Sequence, residues 1–241
     1  MAEAVGAPPA EVLMRPRYTR AEAARIIAVS PATFRNWAHG YTYRTTEGVR
    51  TSPGLITLAP VGDRLFVPFI GLAEAYILNA FRQTGVSMQR IRPALEKIQR
   101  EMGLDTALAN RRLKTDGVEI LYEYGQVAQA QGDTKTAKDV RELVVVRNGQ
   151  RVFTEVVGGY LRTIVYEGDW VSALHLYRYE DVDVVVDPRV NYGKPTLASR
   201  GIQLDHLLAR MRGGESARDL AWDYDLTEEE INALAPAQSP N

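Results

Sequence analysis

The stretch Ser30–His39 constrains the fold most, because its residues are typical of the second helix of a helix-turn-helix motif. Ser30 is a preferred helix N-cap residue, and Pro31 stands at the first helical position, where proline is favoured. Another helix start, at Thr19, lies eleven residues earlier, and Glu22 completes a capping box there. Two capped helices this close together predict a helix-turn-helix motif.

The two faces of the second helix differ in chemistry. Phe34, Trp37 and Ala38 share one face and are expected in the core. Four side chains with hydrogen-bonding groups point away from that face: Thr33, Arg35, Asn36 and His39. Such a face suits the major groove of DNA, although a solvated helix surface is the alternative interpretation of the same residues.

Charge is divided unevenly along the chain, although the net charge is only -1. Residues 15–112 hold 15 basic and 7 acidic side chains, a net charge of +8. Residues 113–186 hold 8 basic and 12 acidic side chains, a net charge of -4. Residues 187–241 hold 6 basic and 9 acidic side chains, a net charge of -3. A basic segment that coincides with a helix-turn-helix motif favours nucleic acid as its partner, and the acidic remainder predicts a different partner.

A β-wing is expected after the second helix. Tyr41–Gly54 predicts a loop in which basic and aromatic residues alternate, with Arg44 and Arg50 among them. Leu55–Leu58 and Arg64–Val67 predict two short strands around a turn. Together with the two capped helices, these strands predict a winged helix.

Two further helices are predicted. Pro68 opens one that runs to Arg82 and is apolar over much of its circumference, so it should be largely buried. Ser87 caps the next, whose apolar residues have the 3-4-3-4 spacing of a coiled-coil seam: Met88, Ile91, Leu95, Ile98 and Met102. This seam either forms a coiled coil between two chains or packs back against the helix-turn-helix, and Pro93 favours the second.

At this point the pattern resembles a known family. Ser30–Trp37 has the sequence Ser-Pro-Ala-Thr-Phe-Arg-Asn-Trp, which is similar to the Ser-Pro-x-Thr-Leu-Arg-x-Tyr motif of the MerR-type winged helix. The resemblance covers roughly residues 15–103 and implies binding to operator DNA. A homodimer is expected because helix-turn-helix proteins usually contact two half-sites as a two-fold pair. We predict that the DNA-binding residues are Arg20, Thr33, Arg35, Asn36, His39, Arg44, Arg50 and Arg64.

The middle of the chain predicts an antiparallel β region. The predicted strands are Val118–Tyr124, Glu142–Arg147, Gln150–Val157, Val171–Tyr179 and Val182–Val186. Asn148-Gly149 predicts a hairpin with a type I′ turn, and polar Gln126–Asp139 predicts a loop. Tyr160–Val165 is compatible with a short helix or another strand. The pattern leaves open whether this region is a separate domain or joins the C-terminal segment.

The C-terminal segment predicts three short helices that form a second helix-turn-helix-like unit. Ser216 caps the second of these helices and Thr227 caps the third. The third begins with Glu228-Glu229-Glu230, which would repel a phosphate backbone. A protein is therefore the expected partner of this unit.

The same segment resembles domain-of-unknown-function family 433, which is met in VapB-type antitoxins. The motifs that carry the resemblance are Asp187-Pro188, Gly193–Leu197, Gly213–Ser216 and Asp223–Ile231. Combined with a MerR-like N-terminus, they resemble the large VapB antitoxins. That resemblance implies a DNA-binding antitoxin whose partner is a PIN-domain ribonuclease toxin.

Catalytic and membrane functions are not predicted. The chain has no cysteine, and His39, His175 and His206 lack the spacing of metal ligands. Gly193–Thr196 only superficially resembles a phosphate loop, because Pro188 stands where the first glycine would be. We expect no enzymatic activity, no cofactor and no metal. No apolar run approaches the roughly 20 residues of a membrane span, so a cytoplasmic protein is expected.

The predicted fold is therefore α+β, with a MerR-like winged helix-turn-helix, a central antiparallel β region and a C-terminal three-helix unit. The predicted divisions are a flexible tail (1–14), a winged-helix DNA-binding domain (15–110), a β-rich domain (111–186), a helical toxin-binding domain (187–235) and a tail (236–241). The alternative is a MerR-like regulator without a toxin, whose β domain senses a small ligand through Tyr122, Tyr124, Phe153, Trp170 and Tyr177.

Overall fold

The structure is a computed structural model that describes residues 10–45, 48–103, 106–147, 150–179 and 181–234. Its internal contacts divide the chain into two units, Met1–Ser172 and Ala173–Asn241. The described residues mix helices with antiparallel strand pairs, which confirms the predicted α+β class. In this part of the chain, no helix is long and apolar enough to cross a bilayer.

The first unit contains the helix-turn-helix, its strands and a further group of helices. Its helices are α1 (Ala10–Met14), α2 (Arg20–Ile26), α3 (Pro31–His39), α4 (Phe69–Gln83), α5 (Met88–Met102), α6 (Asp116–Ala130), α7 (Thr134–Arg141) and α8 (Glu155–Arg162). Its strands are β1 (Pro16–Tyr18), β2 (Tyr41–Thr45), β3 (Gly48–Ser52), β4 (Ala59–Val61), β5 (Arg64–Pro68), β6 (Val144–Arg147), β7 (Gln150–Phe153) and β8 (Ile164–Glu167). Strands β1, β5 and β4 form one antiparallel sheet in that order, and β2–β3 and β6–β7 are hairpins.

Helix α4 lies at the centre of this unit, and every residue from Phe69 to Phe81 is buried. It packs against α1, α8 and strands β1 and β5. The ring of Tyr76 lies 5.1 Å from that of Tyr160, and the Tyr76 hydroxyl is 2.8 Å from Thr163 Oγ1. The prediction of a largely buried helix from Pro68 to Arg82 is confirmed.

The apolar stripe of α5 is buried within the chain. Ile91, Leu95 and Ile98 are each at most 1% exposed. The helix packs chiefly against α6 and α7. The stripe therefore forms neither an exposed coiled-coil seam nor a contact made mainly with the helix-turn-helix.

The strand predicted at Val118–Tyr124 is wrong, because these residues belong to α6. The buried residues Val118, Leu121, Gly125 and Ala128 recur every three or four positions, which is the period of a helix buried on one side. The loop predicted at Gln126–Asp139 is also wrong. Ala, Gln and Lys are good helix formers, and the residues continue α6 and then form α7, which Asp133 caps by accepting from Thr136 N at 3.0 Å.

The predicted β6–β7 hairpin is confirmed by the pairing of Arg147 with Gln150, although Asn148 and Gly149 themselves lie outside the described residues. The strand predicted to run to Val157 ends at Phe153. Gly158 and Gly159 lie inside α8, because this segment packs as a helix against α4. The described part of residues 111–186 thus includes three α-helices and a short 3-10 helix (Arg111–Lys114), whereas a β-rich region was predicted.

Part of the predicted N-terminal tail is ordered. Ala10–Met14 forms α1, in which Leu13 is only 3% exposed and which packs against α4. Burial of this leucine stabilises the short helix, so the prediction of a flexible tail is wrong for residues 10–14. Residues 1–9 and the predicted C-terminal tail, 236–241, lie outside the described residues.

The second unit begins within strand β9 (Trp170–His175). It continues with β10 (Val184–Val186), β11 (Thr196–Leu197) and β12 (Ile202–Gln203), which pair antiparallel in the order β12-β11-β10-β9. Helices α9 (Leu204–Arg212), α10 (Ala217–Tyr224) and α11 (Glu228–Leu234) follow, as predicted. Their apolar residues form a small core of Leu204, Leu207, Leu220, Ile231 and Leu234.

Candidate nucleic-acid interface

The predicted caps set the bounds of the helix-turn-helix. Thr19 Oγ1 accepts from Glu22 N at 3.2 Å, and Thr19 N donates to Glu22 Oε2 at 2.8 Å, so α2 begins with a complete capping box. Ser30 Oγ accepts from Thr33 N at 3.1 Å and caps α3, with Pro31 at its start.

The turn between α2 and α3 is fixed by a side chain of α4. Asn79, buried on α4, donates from Nδ2 to the Ile27 carbonyl at 3.1 Å. Ala28 has a φ of +56°, the left-handed conformation that usually favours glycine. The angle between α2 and α3 is thus set by a strained residue and by a side chain from the core.

The two faces of α3 are as predicted. Phe34, Trp37 and Ala38 are buried, Arg35 and His39 are exposed, and Thr33 and Asn36 are half-buried. The Thr33 hydroxyl lies 2.9 Å from Ser30 Oγ, so this side chain also takes part in the cap.

Three of the predicted residues lie together at the start of α2 and along α3. Arg20 Nη1 is 2.7 Å from His39 Nε2. Because a guanidinium only donates, Nε2 accepts this bond and the ring proton lies on Nδ1. Arg20 and Arg35 also line an open cleft of about 450 Å³, with Thr19, Ala21, Pro31 and Ala32 between them. The sequence pattern marked Thr19 and Pro31 as helix-start residues, but it did not predict that they line a cleft with Ala21 and Ala32.

The segment predicted as a loop, Tyr41–Gly54, contains the hairpin β2–β3 instead. Alternate positions along each strand face the same side, so the alternation of residue types reflected a strand period. Arg44 is exposed on β2. Arg50 lies on β3 opposite Tyr43, and its side chain lies outside what the structure describes.

Two contacts hold the hairpin and the segment that follows it against the end of α3. Leu55 N donates to the Trp37 carbonyl at 2.7 Å. Gly40 has a φ of +72°, and a Cβ there would lie 1.9 Å from the Ser52 carbonyl oxygen, so only glycine fits between helix and hairpin.

The wing is formed by β4 and β5, which turn at Gly62 and Asp63. Arg64 begins β5 and is exposed. The first wing strand was predicted at Leu55–Leu58, but it lies at Ala59–Val61, since Leu55 and Ile56 are buried and the chain between them and the wing is held by Glu74.

Two buried ionisable residues, Glu74 and Arg92, contact the segment between the hairpin and the wing, and sequence reasoning missed both. Glu74 is 1% exposed, and its Oε2 accepts from Thr57 N at 2.6 Å. Burial raises the pKa of the Glu74 carboxyl to about 8, although the bond from Thr57 lowers the pKa in part. Arg92, 5% exposed on α5, donates to the Pro53 carbonyl and lies 5.5 Å from the ring of Tyr41. A charged residue within an apolar helical pattern was the available signal for Glu74.

Helix α11, the third helix of the second unit, begins with acidic residues, whereas the exposed face of α3 carries Arg35. Thr227 Oγ1 accepts from Glu230 N at 3.1 Å, and Thr227 N donates to Glu230 Oε2 at 2.8 Å, which confirms the predicted cap. Glu228 and Glu229 are exposed at the start of α11. Carboxylates stabilise a helix N-terminus but repel phosphates, so this helix has the wrong charge for a DNA groove.

The alternative ligand-sensing site is not assembled from the aromatic residues proposed for it. Tyr122 and Tyr124 lie on α6, and the ring of Phe153 packs 5.6 Å from that of Phe81 in the core. These side chains therefore do not share the face of one sheet.

Family models match both ends of the chain. A model described as "Putative DNA-binding HTH domain" matches residues 16–95, which include the helix-turn-helix and the wing. A model described as "Protein of unknown function (DUF433)" matches residues 184–235, which include α9, α10 and α11. Fold and site together define a DNA-binding protein of the helix-turn-helix class.

The relatives identify the family. The chain is 40% identical over 220 residues to "Putative antitoxin VapB45" of Mycobacterium tuberculosis, with 90% of this chain and 91% of the relative covered. It is 25% identical over 227 residues to "Uncharacterized protein Rv2308" of the same organism, with 91% of this chain and 89% of that relative covered. The crystal structure of Rv2018, also from that organism, matches with a TM-score of 0.74 and 36% identity, over 91% of this chain and 97% of that one. The chain belongs to the VapB-type antitoxin family, with an N-terminal DNA-binding helix-turn-helix and a C-terminal DUF433 domain.

Proposed function

We propose that this protein is the antitoxin of a type II toxin-antitoxin system, which binds operator DNA and neutralises a PIN-domain ribonuclease toxin. One observation carries the proposal: a capped α3 presents Arg35 and His39 to solvent in a chain that is 40% identical to a protein named as an antitoxin. The DNA-binding half would repress the operon that encodes both proteins.

The DNA contacts are assigned by the position of each side chain. Arg35, exposed on α3, contacts a base edge or a phosphate in the major groove, and Thr33, Asn36 and His39 add polar contacts. Arg20 is oriented by its bond to His39 and contacts a phosphate beside the start of α2. Arg44, Arg50 and Arg64 contact phosphates from the hairpin and the wing.

The protein acts as a homodimer in this proposal. One helix-turn-helix contacts one half-site. Two copies related by a two-fold axis therefore contact a palindromic operator whose half-sites lie about one helical turn apart, centre to centre. The dimer interface is not the α5 stripe, because that stripe is already buried within one chain.

Toxin neutralisation is assigned to the C-terminal half of the chain, and specifically to its last 55 residues, 187–241. This segment has a net charge of -3, and its α11 begins with three glutamates. An acidic surface suits a partner that handles RNA through a basic surface.

Co-expression tests this function. The full chain and a variant that lacks residues 187–241 would each be co-expressed with the protein encoded by the adjacent gene. We expect growth arrest by the neighbour alone, rescue and a stable complex with the full chain, and neither rescue nor complex with the truncated variant. The truncated chain should still shift DNA from upstream of the gene, which would show that its DNA-binding half is folded. A neighbour that binds neither variant would contradict the toxin assignment.

A further inference from the structure

A tryptophan of the second unit lies on the surface and is not part of the core. Trp222 on α10 is 87% exposed, the highest exposure of any large apolar side chain among the described residues. Its neighbours Leu220 and Ala221 are buried and attach α10 to the other helices. Exposed tryptophan at one place on a helix that is otherwise anchored is typical of a binding surface rather than of packing.

Acidic side chains surround this tryptophan. Trp222 lines an open cleft of about 510 Å³ between α10 and the start of α11. Four of the residues that line it with Trp222 are carboxylates, and one is basic: Asp219, Asp223, Asp225, Glu228 and Arg218. We call Trp222 and these four carboxylates the Trp222 surface.

Hydrogen bonds and ion pairs hold the Trp222 surface in place. Asp219 Oδ2 accepts from Ser216 Oγ at 2.6 Å. Arg200 donates to the Asp225 carbonyl at 2.7 and 3.0 Å and forms an ion pair with the Asp225 carboxylate at 2.7 Å. These bonds fix Asp225 in its left-handed conformation at the end of α10.

A second arginine, Arg210 on α9, pairs with one of these carboxylates. Arg210 donates to Asp223 Oδ2 at 2.5 Å and to both carboxylate oxygens of Glu215. The bonds from Arg210 to Glu215 hold the pKa of the Glu215 carboxyl below its usual value. A surface fixed in this way loses little conformational entropy when a partner binds.

Charge decides which partner fits. DNA is disfavoured because the carboxylates that line the cleft outnumber Arg218, its lining arginine, and carboxylates repel phosphates. A second copy of this chain that used the same face would place one acidic rim against another, since a two-fold contact pairs identical patches. A protein surface with an apolar pocket bordered by Lys and Arg is complementary both to the indole and to the rim.

We propose that the Trp222 surface is the docking site for the toxin, with the indole as the anchor and the carboxylates as the electrostatic complement of a basic rim. The inference rests on the proposed antitoxin function, and it names the part of the C-terminal half that carries the contact. The indole mainly sets the lifetime of the complex, and the carboxylates mainly set the rate of association.

The test measures binding kinetics of full-length variants with the protein encoded by the adjacent gene. Trp222→Ala should weaken the complex on the order of 30-fold, mostly through faster dissociation, as is usual for an interface hot spot. The double change Asp219→Asn and Glu228→Gln should slow association several-fold and reduce its dependence on salt. Tyr192→Ala is the matched control, since Tyr192 is an 83% exposed aromatic residue of the same unit that does not line the cleft.

The outcomes separate this inference from the function on which it rests. Thermal melting of Trp222→Ala should match the wild type, because a side chain that is 87% exposed contributes little to the core. If the wild-type chain binds the neighbour and Trp222→Ala binds equally well, or if Tyr192→Ala weakens the complex by as much, the docking site is elsewhere and the antitoxin function stands. If the wild-type chain does not bind the neighbour, both proposals fall.

Discussion

Glu74 places a carboxyl group inside the first unit, where it supports the chain that leads into the wing. Its pKa is raised to about 8 in the folded chain from 4.5, because burial disfavours the charged form. The folded state therefore binds a proton more tightly than the unfolded state. The stability that this provides is fully present below pH 4.5 and is lost as the pH rises to about 8.

Glu74→Gln removes this titration and keeps an oxygen that can accept from Thr57 N. Urea unfolding from pH 5 to pH 8 should show that the wild type loses about 2 to 5 kcal/mol more stability than Glu74→Gln over that interval. Glu123→Gln, at an exposed position of α6, should keep the wild-type pH profile. Parallel profiles for the wild type and Glu74→Gln would show that this carboxyl does not titrate in the window.

Ala28 is the second residue with a specific energetic consequence. Its φ of +56° is strained for a side chain with a Cβ, so Ala28→Gly should stabilise the protein by about 0.5–1 kcal/mol, after the entropy that glycine adds to the unfolded chain is counted. Ala32→Gly, an exposed position inside α3, should instead destabilise by up to about 1 kcal/mol. Equal losses of melting temperature for the two variants would contradict the assignment of strain at Ala28.

The sequence could show the chemistry of such residues but not their surroundings. Phe34 and Trp37 were placed in the core because helix period assigns them to one face, and they are buried. The bond between Arg20 and His39 joins two helices, and the buried partners of Glu74 lie on another segment. Both contacts depend on tertiary packing, about which a local sequence pattern carries no information.

At the scale of elements, helix ends were predictable and strand identity was less so. Thr19, Ser30, Ser216 and Thr227 mark helix starts because their side-chain oxygens satisfy local backbone donors. By contrast, β-branched and aromatic residues at Val118–Tyr124 favoured a strand in isolation. Packing of α6 against α7 outweighed that preference: one side of α6 is buried, and a Cβ at Gly125 would lie only 2.8 Å from the Val140 side chain.

The role of the wing in DNA binding can be tested through the salt dependence of DNA affinity. Arg64 is exposed at the start of β5, and in the proposed complex it contacts a phosphate. Arg64→Ala should lower the slope of log affinity against log salt by about one. Arg82→Ala, an exposed position at the end of α4, removes the same charge away from the wing and should leave the slope unchanged. An unchanged slope in both variants would remove Arg64 from the interface.

At the scale of the whole molecule, the basic N-terminal segment lies in the first structural unit and the acidic C-terminal segment lies in the second, although the acidic stretch that begins at residue 113 starts within the first unit. Residues 15–112 carry the +8 charge and the helix-turn-helix, and α10 and α11 carry the acidic Trp222 surface. Because the acidic C-terminal unit repels phosphates, its charge suits a protein partner, whereas the basic N-terminal helix-turn-helix suits DNA. Fold class and family could be predicted from spaced motifs, whereas the division of the central region between the two units could not, because it depends on long-range pairing of short strands.

The most direct test of the central claim is an anisotropy titration of full-length protein with DNA from upstream of its own gene, at fixed salt. Arg35→Ala should weaken binding by about 1–3 kcal/mol, which corresponds to roughly 5- to 150-fold. Arg212→Ala removes an equal charge from an exposed position of α9 and should bind like the wild type. Equal affinity of the wild type and Arg35→Ala, or equal losses in Arg35→Ala and Arg212→Ala, would contradict α3 as the DNA-binding helix.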